Sequence, residues 1–116
     1  MFENQIPQFP DFGRQPFPVA LPYFANAVPE IHPSPGNPPQ GWGLTFMLTD
    51  GATHKSPGTA QWAGVANLFW FVDPGKGIAG MISSQILPAG DFAVYDLWVN
   101  KVQATVFNAL EGQNAS

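Results

Sequence analysis

A chain of 116 residues is long enough for one domain, and 45% hydrophobic residues give it ample material for a core. Only 10% of its residues are charged, against about 25% in typical globular proteins, so part of its surface is expected to be covered by a partner, a second copy or further polypeptide. The four basic residues (Arg14, Lys55, Lys76, Lys101) are scattered among eight acidic ones, which excludes a phosphate-tracking stripe, and the lack of cysteine excludes disulfides and thiolate chemistry.

Met1 is followed by Phe2, Glu3, Asn4 and Gln5 and then by prolines, which is not the pattern of a signal peptide. No apolar run reaches the ~18 residues needed to span a bilayer. The expectation is a cytoplasmic protein that binds neither membrane nor nucleic acid.

Residues 1–39 form a Pro-rich arm, for ten of the thirteen prolines precede Gln40. Proline fixes φ and removes a backbone donor, so regular helix and central strand are ruled out there. A disordered tether and an extended arm lying on a surface both fit this composition. Phe9, Phe12, Phe17 and Phe24 favour the arm, at least from Pro22 onward, because disordered tails are usually poor in aromatics.

Residues 40–116 read as one α+β unit. Trp42, Leu44, Phe46 and Leu48 alternate with smaller or polar residues, which predicts a half-buried strand over 42–49. The loop Asp50–Gly58 follows. A second strand is expected within 60–73, where Leu68 to Val72 is apolar on both faces and asks to be covered on both. Asp73 to Gly77 (DPGKG) breaks it, with Pro74 presetting the turn and Gly75 taking the position of positive φ. A third strand over 77–87 should pair antiparallel with the second. Its small residues Gly80, Ser83 and Ser84 leave room for a bulky neighbour.

Asp91 is a plausible N-cap for an amphipathic helix over 91–110. Tyr95, Trp98, Val99, Val102, Val106 and Leu110 recur at helical spacing and should face the sheet. Asp96, Asn100, Lys101, Gln103 and Asn108 fall between them and should face water. The predicted fold is therefore an antiparallel sheet packed on a C-terminal helix, preceded by an extended arm.

Chemistry is sparse. None of the serines (Ser34, Ser56, Ser83, Ser84, Ser116) has a lysine three residues later. His32 and His54 read as solvated loop residues rather than a catalytic pair. Carboxylates do not cluster, so neither a metal nor another cofactor is implied. Gly75 and Gly77 join two strands rather than a strand and a helix, which argues against a phosphate loop. The P-x-x-P spacings at Pro7–Pro10 and Pro35–Pro38 lack a flanking basic residue in register.

The order GWGLTFML, SPGTAQWAG, NLFWFVDPGKGIAGMISSQILPAGD and then an amphipathic helix resembles the C-terminal part of the serine β-lactamase-like superfamily. The likeness is strongest to its class C-like branch of β-lactamases, penicillin-binding proteins, esterases and transesterases, and runs from about Pro33 to Leu110. Members of that superfamily carry Ser-x-x-Lys, then Tyr-x-Asn, then a third motif of the Lys-Thr-Gly, His-x-Gly or Trp-x-Gly type on an edge strand of the active site. Only the third is present, as Trp62-Ala63-Gly64. The resemblance implies that the N–H of Val65 is one donor of an oxyanion hole and that Gly64 admits substrate close to the backbone. Trp62 stands where true β-lactamases carry a lysine, which points to a small ester or acyl substrate rather than a β-lactam. Without Ser-x-x-Lys the resemblance implies a C-terminal piece of such an enzyme, inactive alone. The rival reading is a non-catalytic module that associates through an exposed apolar sheet face and its Pro-rich arm.

Overall fold

The computed structural model describes residues 1–16, 18–27, 36–51 and 54–114. His32, Ser34, Ser116, Phe17 and the start of the Pro35–Pro38 motif lie outside the described residues. Five strands form one antiparallel sheet in chain order: β1 (Gln40–Trp42), β2 (Met47–Asp50), β3 (Pro57–Gly64), β4 (Leu68–Asp73) and β5 (Ile78–Ile82). A helical stretch follows in three joined segments: α1 (Phe92–Asp96), a π-helical segment (Leu97–Gln103) and α2 (Ala104–Asn114).

The sheet is antiparallel and the helix packs on it, but two of the expected strands are each a hairpin. The 42–49 strand is broken where Gly43 donates to the carbonyl of Phe46 (2.8 Å), and β1 folds back on β2 with Trp42 opposite Met47. Leu44 therefore sits exposed in the turn instead of facing a core. The 60–73 strand is broken at Val65–Asn67. The Asn67 N–H bonds the Gly64 carbonyl (3.1 Å) and Asn67 takes φ +57°, the left-handed residue that closes a three-residue hairpin loop. Asparagine tolerates that region because its short side chain can bond locally.

The β4–β5 hairpin forms as the sequence predicts, with Phe69 opposite Ile82 and Asp73 opposite Ile78. The positive φ in its turn falls on Gly77 (+68°) rather than Gly75. The Asp73 carboxylate accepts from the N–H of Lys76 (3.0 Å), which shapes the first part of the turn. β5 ends at Ile82, short of the expected Leu87. The chain beyond it turns away to bond the β3–β4 turn.

Asp91 caps α1 by accepting from the Val94 N–H (2.9 Å). Phe69, Phe71, Val94, Trp98 and Phe107 form the buried core between sheet and helix, joined by Ala63, Ile78, Ile82, Tyr95, Val99 and Leu110. A Cβ on Gly80 would lie 3.1 Å from Trp98 and 2.9 Å from Phe71, so the glycine is the space those two rings use. The expected burial of Val102 and Val106 is not found: they are 38% and 42% exposed, while Gln103 and Phe107 are buried. The cause is the π-helical segment, whose wider turns shift the inward face by one residue. Buried positions step from Trp98 to Gln103 rather than to Val102. Lys101 and Asn108 are exposed, as expected.

The opposite face of β4 is partly covered. Trp70 and Val72 pack with Phe46, Leu48 and Ala60, and Phe2 of the arm lies against Phe46 with ring centroids 5.0 Å apart. The arm follows the outer edge of β1. Gln5 N–H bonds the Trp42 carbonyl (2.8 Å), the Asn4 side chain accepts from Trp42 N–H (3.1 Å), and the Pro10 carbonyl accepts from Gln40 N–H (2.8 Å). Arg14 bonds Asp11 and the Pro38 carbonyl. Further on, Phe24 and Asn26 pair with Ala89 at the far end of the sheet. No helix of the described residues is long and apolar enough to cross a membrane.

Candidate functional site

Trp62, Ala63 and Gly64 are the last three residues of β3. β3 is third of five in the sheet order and so not an edge strand as a whole. Yet β2 pairs with it only as far as Gln61, opposite Met47. Trp62–Gly64 continue past the end of β2, and their strand partners are Trp70, Phe69 and Leu68 of β4. Gly64 and Val65 lie exposed where the strand ends.

The Trp62 ring is half-buried and meets Trp42 edge-on, with centroids 4.8 Å apart and planes at 79°. It forms an apolar wall with no cation. Gly64 is exposed, and a Cβ there would meet nothing nearer than Leu68 at 4.0 Å, so the backbone is open to close approach. Val65 begins the turn and is 61% exposed. Among the described residues its N–H enters no turn or loop hydrogen bond with the backbone. The geometry places this N–H beside an exposed glycine and an indole wall.

The turn that carries Val65 is tied down from beneath. Asn67 is fully buried. Its side-chain amide donates to the carbonyls of Ile86 and Pro88, each at 2.8 Å, and accepts from the Asp91 N–H at 2.9 Å. The Ser84 hydroxyl lies 2.6 Å from the Ala66 carbonyl and 3.1 Å from that of Asn67. Sequence reading passed over Asn67 because it sits inside an apolar run, and it treated Ser84 only as a small residue. The signal available was a lone asparagine between Ala66 and Leu68, where a strand would have used an apolar residue.

The other polar groups do not converge on this edge. His54 is exposed, with Nδ1 3.5 Å from a Glu111 carboxylate oxygen. Among the described residues no group of three or more His, Asp or Glu side chains is placed to hold a metal. Lys55, in the loop before β3, is buried and donates to Gln61 Oε1 (3.1 Å). Burial lowers its pKa to about 8, an effect that the negative charge of Asp73 partly opposes. For Asp73, burial pushes the carboxyl up, but the N–H donors of Ser56 and Lys76 together with the Ser56 and Thr59 hydroxyls outweigh it and hold the pKa below the ordinary value.

The chain matches no protein-family model, no curated protein and no solved structure.

Proposed function

We propose that this chain supplies the third-motif strand of a β-lactamase-related serine hydrolase or acyltransferase, acting on a small ester or acyl substrate. The observation that carries this reading is the extension of Trp62–Gly64 beyond β2, with the exposed residue Val65 at its end. An N–H fixed where a strand enters a tied-down turn can meet a developing oxyanion without reorganising, and one such donor is worth about 3–4 kcal/mol of barrier. The indole of Trp62 offers no charge to a substrate carboxylate, which favours neutral esters over β-lactams. No serine in the sequence has the Ser-x-x-Lys partner, so the nucleophile must come from outside these 116 residues.

Val65→Pro is a clean probe of the donor. Val65 occupies the first central position of the turn, where proline is favoured, so the substitution removes the N–H and leaves the turn intact. The purified chain alone should hydrolyse p-nitrophenyl butyrate at the background rate. Mixed with a polypeptide carrying the Ser-x-x-Lys and Tyr-x-Asn regions of a β-lactamase-related esterase, it should give saturable turnover that Val65→Pro abolishes. A stable complex without turnover, or turnover by the chain alone that a Ser→Ala change removes, would defeat the reading.

A non-catalytic interaction module is the second reading, and it rests on the exposed apolar residues Leu44, Val65, Met81, Ile86, Leu87 and Phe92. It accounts for a complex that forms and never turns over ester.

A further inference from the structure

Asn67 is fully buried, yet every polar atom of its side chain is engaged by the chain that follows β5. We propose that Asn67, helped by Ser84, is a positioning residue that holds the Val65 N–H in the place an oxyanion would require. This rests on the functional reading above and extends it to the groups that fix the donor.

A three-residue hairpin loop protruding past the end of its neighbouring strand would ordinarily be among the more mobile parts of a sheet. This one is tied on its inner side. The Asn67 amide spans from the β3–β4 turn to Ile86, Pro88 and Asp91, and Asp91 in turn caps α1 through Val94. The Ser84 hydroxyl engages the carbonyls of Ala66 and Asn67, the two residues that follow Val65. The turn is thereby referenced to the helix N-terminus as well as to the sheet. Its outer side, where Gly64 and Val65 are exposed, carries none of these bonds. An asparagine serves where most residues could not. It accepts φ +57°, and it alone combines two amide donors with an acceptor on so short a stem.

Asn67→Gly separates the two roles, because glycine keeps the positive φ and loses the amide. Ser84→Ala is the milder companion if Asn67→Gly fails to fold. Isotope-labelled chain gives the first measurement. The backbone order parameters of Val65 and Ala66 should be about 0.85 in the parent chain and fall below about 0.6 in Asn67→Gly, while those of Phe71 and Val72 in β4 stay rigid. In the reconstituted hydrolysis assay, kcat should fall about tenfold with KM little changed, since the donor is misplaced and not removed. Ser84→Thr, which keeps the hydroxyl, should retain parent kcat where Ser84→Ala does not.

Unchanged order parameters at Val65 and Ala66 in a folded Asn67→Gly chain overturn the inference. So does parent-like kcat in that variant when the parent mixture is active. A parent mixture with no turnover sinks the functional reading instead, and the order parameters then decide alone whether Asn67 holds the turn.

Discussion

The sheet face that meets the helix is made of two unlike halves. Over β4 and β5 it is aromatic and dry: Phe69 and Phe71 pack against Trp98 and Phe107, with Phe71 centroids 5.7 Å and 5.5 Å from those rings. Toward β1 and β2 the buried side chains are mainly polar: Gln40, Thr49, Thr59 and Gln61 surround the buried hydrophobe Met47, and the Lys55 ammonium lies against Gln61. Neither amide atom of Gln40 has a partner among the described residues. The two halves differ in what their burial is worth. Apolar groups gain from leaving water, while polar groups only recover what desolvation costs, and then only if every bond is made. Stability should therefore reside in the aromatic half, and the polar half should respond to pH and tolerate repair.

The largest effect is expected at Phe107, which is fully buried at the centre of the aromatic half. Phe107→Ala should cost about 3–5 kcal/mol, from lost burial and the cavity left behind. Urea unfolding measures it directly. A loss under about 1 kcal/mol would erase the contrast between the halves, because a surface substitution costs as little.

Lys55 tests the polar half through pH. Its pKa falls from 10.5 unfolded to about 8 folded, mainly by burial. Below pH 8 the native state carries the whole penalty of a buried ammonium. Between pH 8 and 10.5 the unfolded chain binds the extra proton, so unfolding free energy should rise with pH, by about 3 kcal/mol at most. Asp73 does not cancel this rise, for its lowered pKa contributes stability that is lost only in acid. Chemical denaturation at pH 7.5 and 9.5 reads the slope, and Lys55→Met should flatten it. An equal slope in the variant would assign the effect to another group.

Gln40 sharpens the same half by a smaller amount. Its amide borders a cavity of about 10 Å³ lined also by Ile6, Phe12 and Met47, room for one water at most. Gln40→Met removes two unpartnered polar atoms and fills that space. The expected change is neutral to stabilising by about 1 kcal/mol, seen as a higher urea midpoint at constant m. A destabilisation of that size would show the amide to be satisfied through water.

The sequence made the β4–β5 hairpin and the helix legible, because each has a long periodic run and a clear stop signal: Asp73–Gly77 for one, Asp91 for the other. The other two hairpins were hidden. Their turns at Gly43–Phe46 and Val65–Asn67 contain no Pro-Gly or Asn-Gly pair, and the single glycines and the lone Thr45 and Asn67 are too weak a signal against the apolar residues on either side. The Trp-x-Gly run Trp62–Gly64 could be read from the sequence, but its extension past β2 depends on where β2 stops, which only the register reveals. Asn67 and Lys55 escaped for a common reason. Composition places polar residues outside, and the bonds that let these two stay inside come from segments distant in sequence.

The inward phase of the helix was the remaining miss, and it yields the smallest expected effect. A 3.6-residue period starting from Trp98 puts Val102 and Val106 toward the sheet. The π-helical segment Leu97–Gln103 adds about one residue to the turn, and Gln103 and Phe107 take the inward positions instead. Val106 then lies at the margin, 42% exposed. Val106→Lys should change stability by less than about 0.5 kcal/mol, for an exposed helical position accepts a long charged side chain at little cost. Phe107, its immediate neighbour, should be intolerant of the same change. Two adjacent lysine substitutions thus read the phase: an unaltered urea midpoint for Val106→Lys and a collapsed one for Phe107→Lys. The opposite order would return the helix to a regular period, move Gln103 out to solvent, and remove one of the buried polar groups that set the two halves of this core apart.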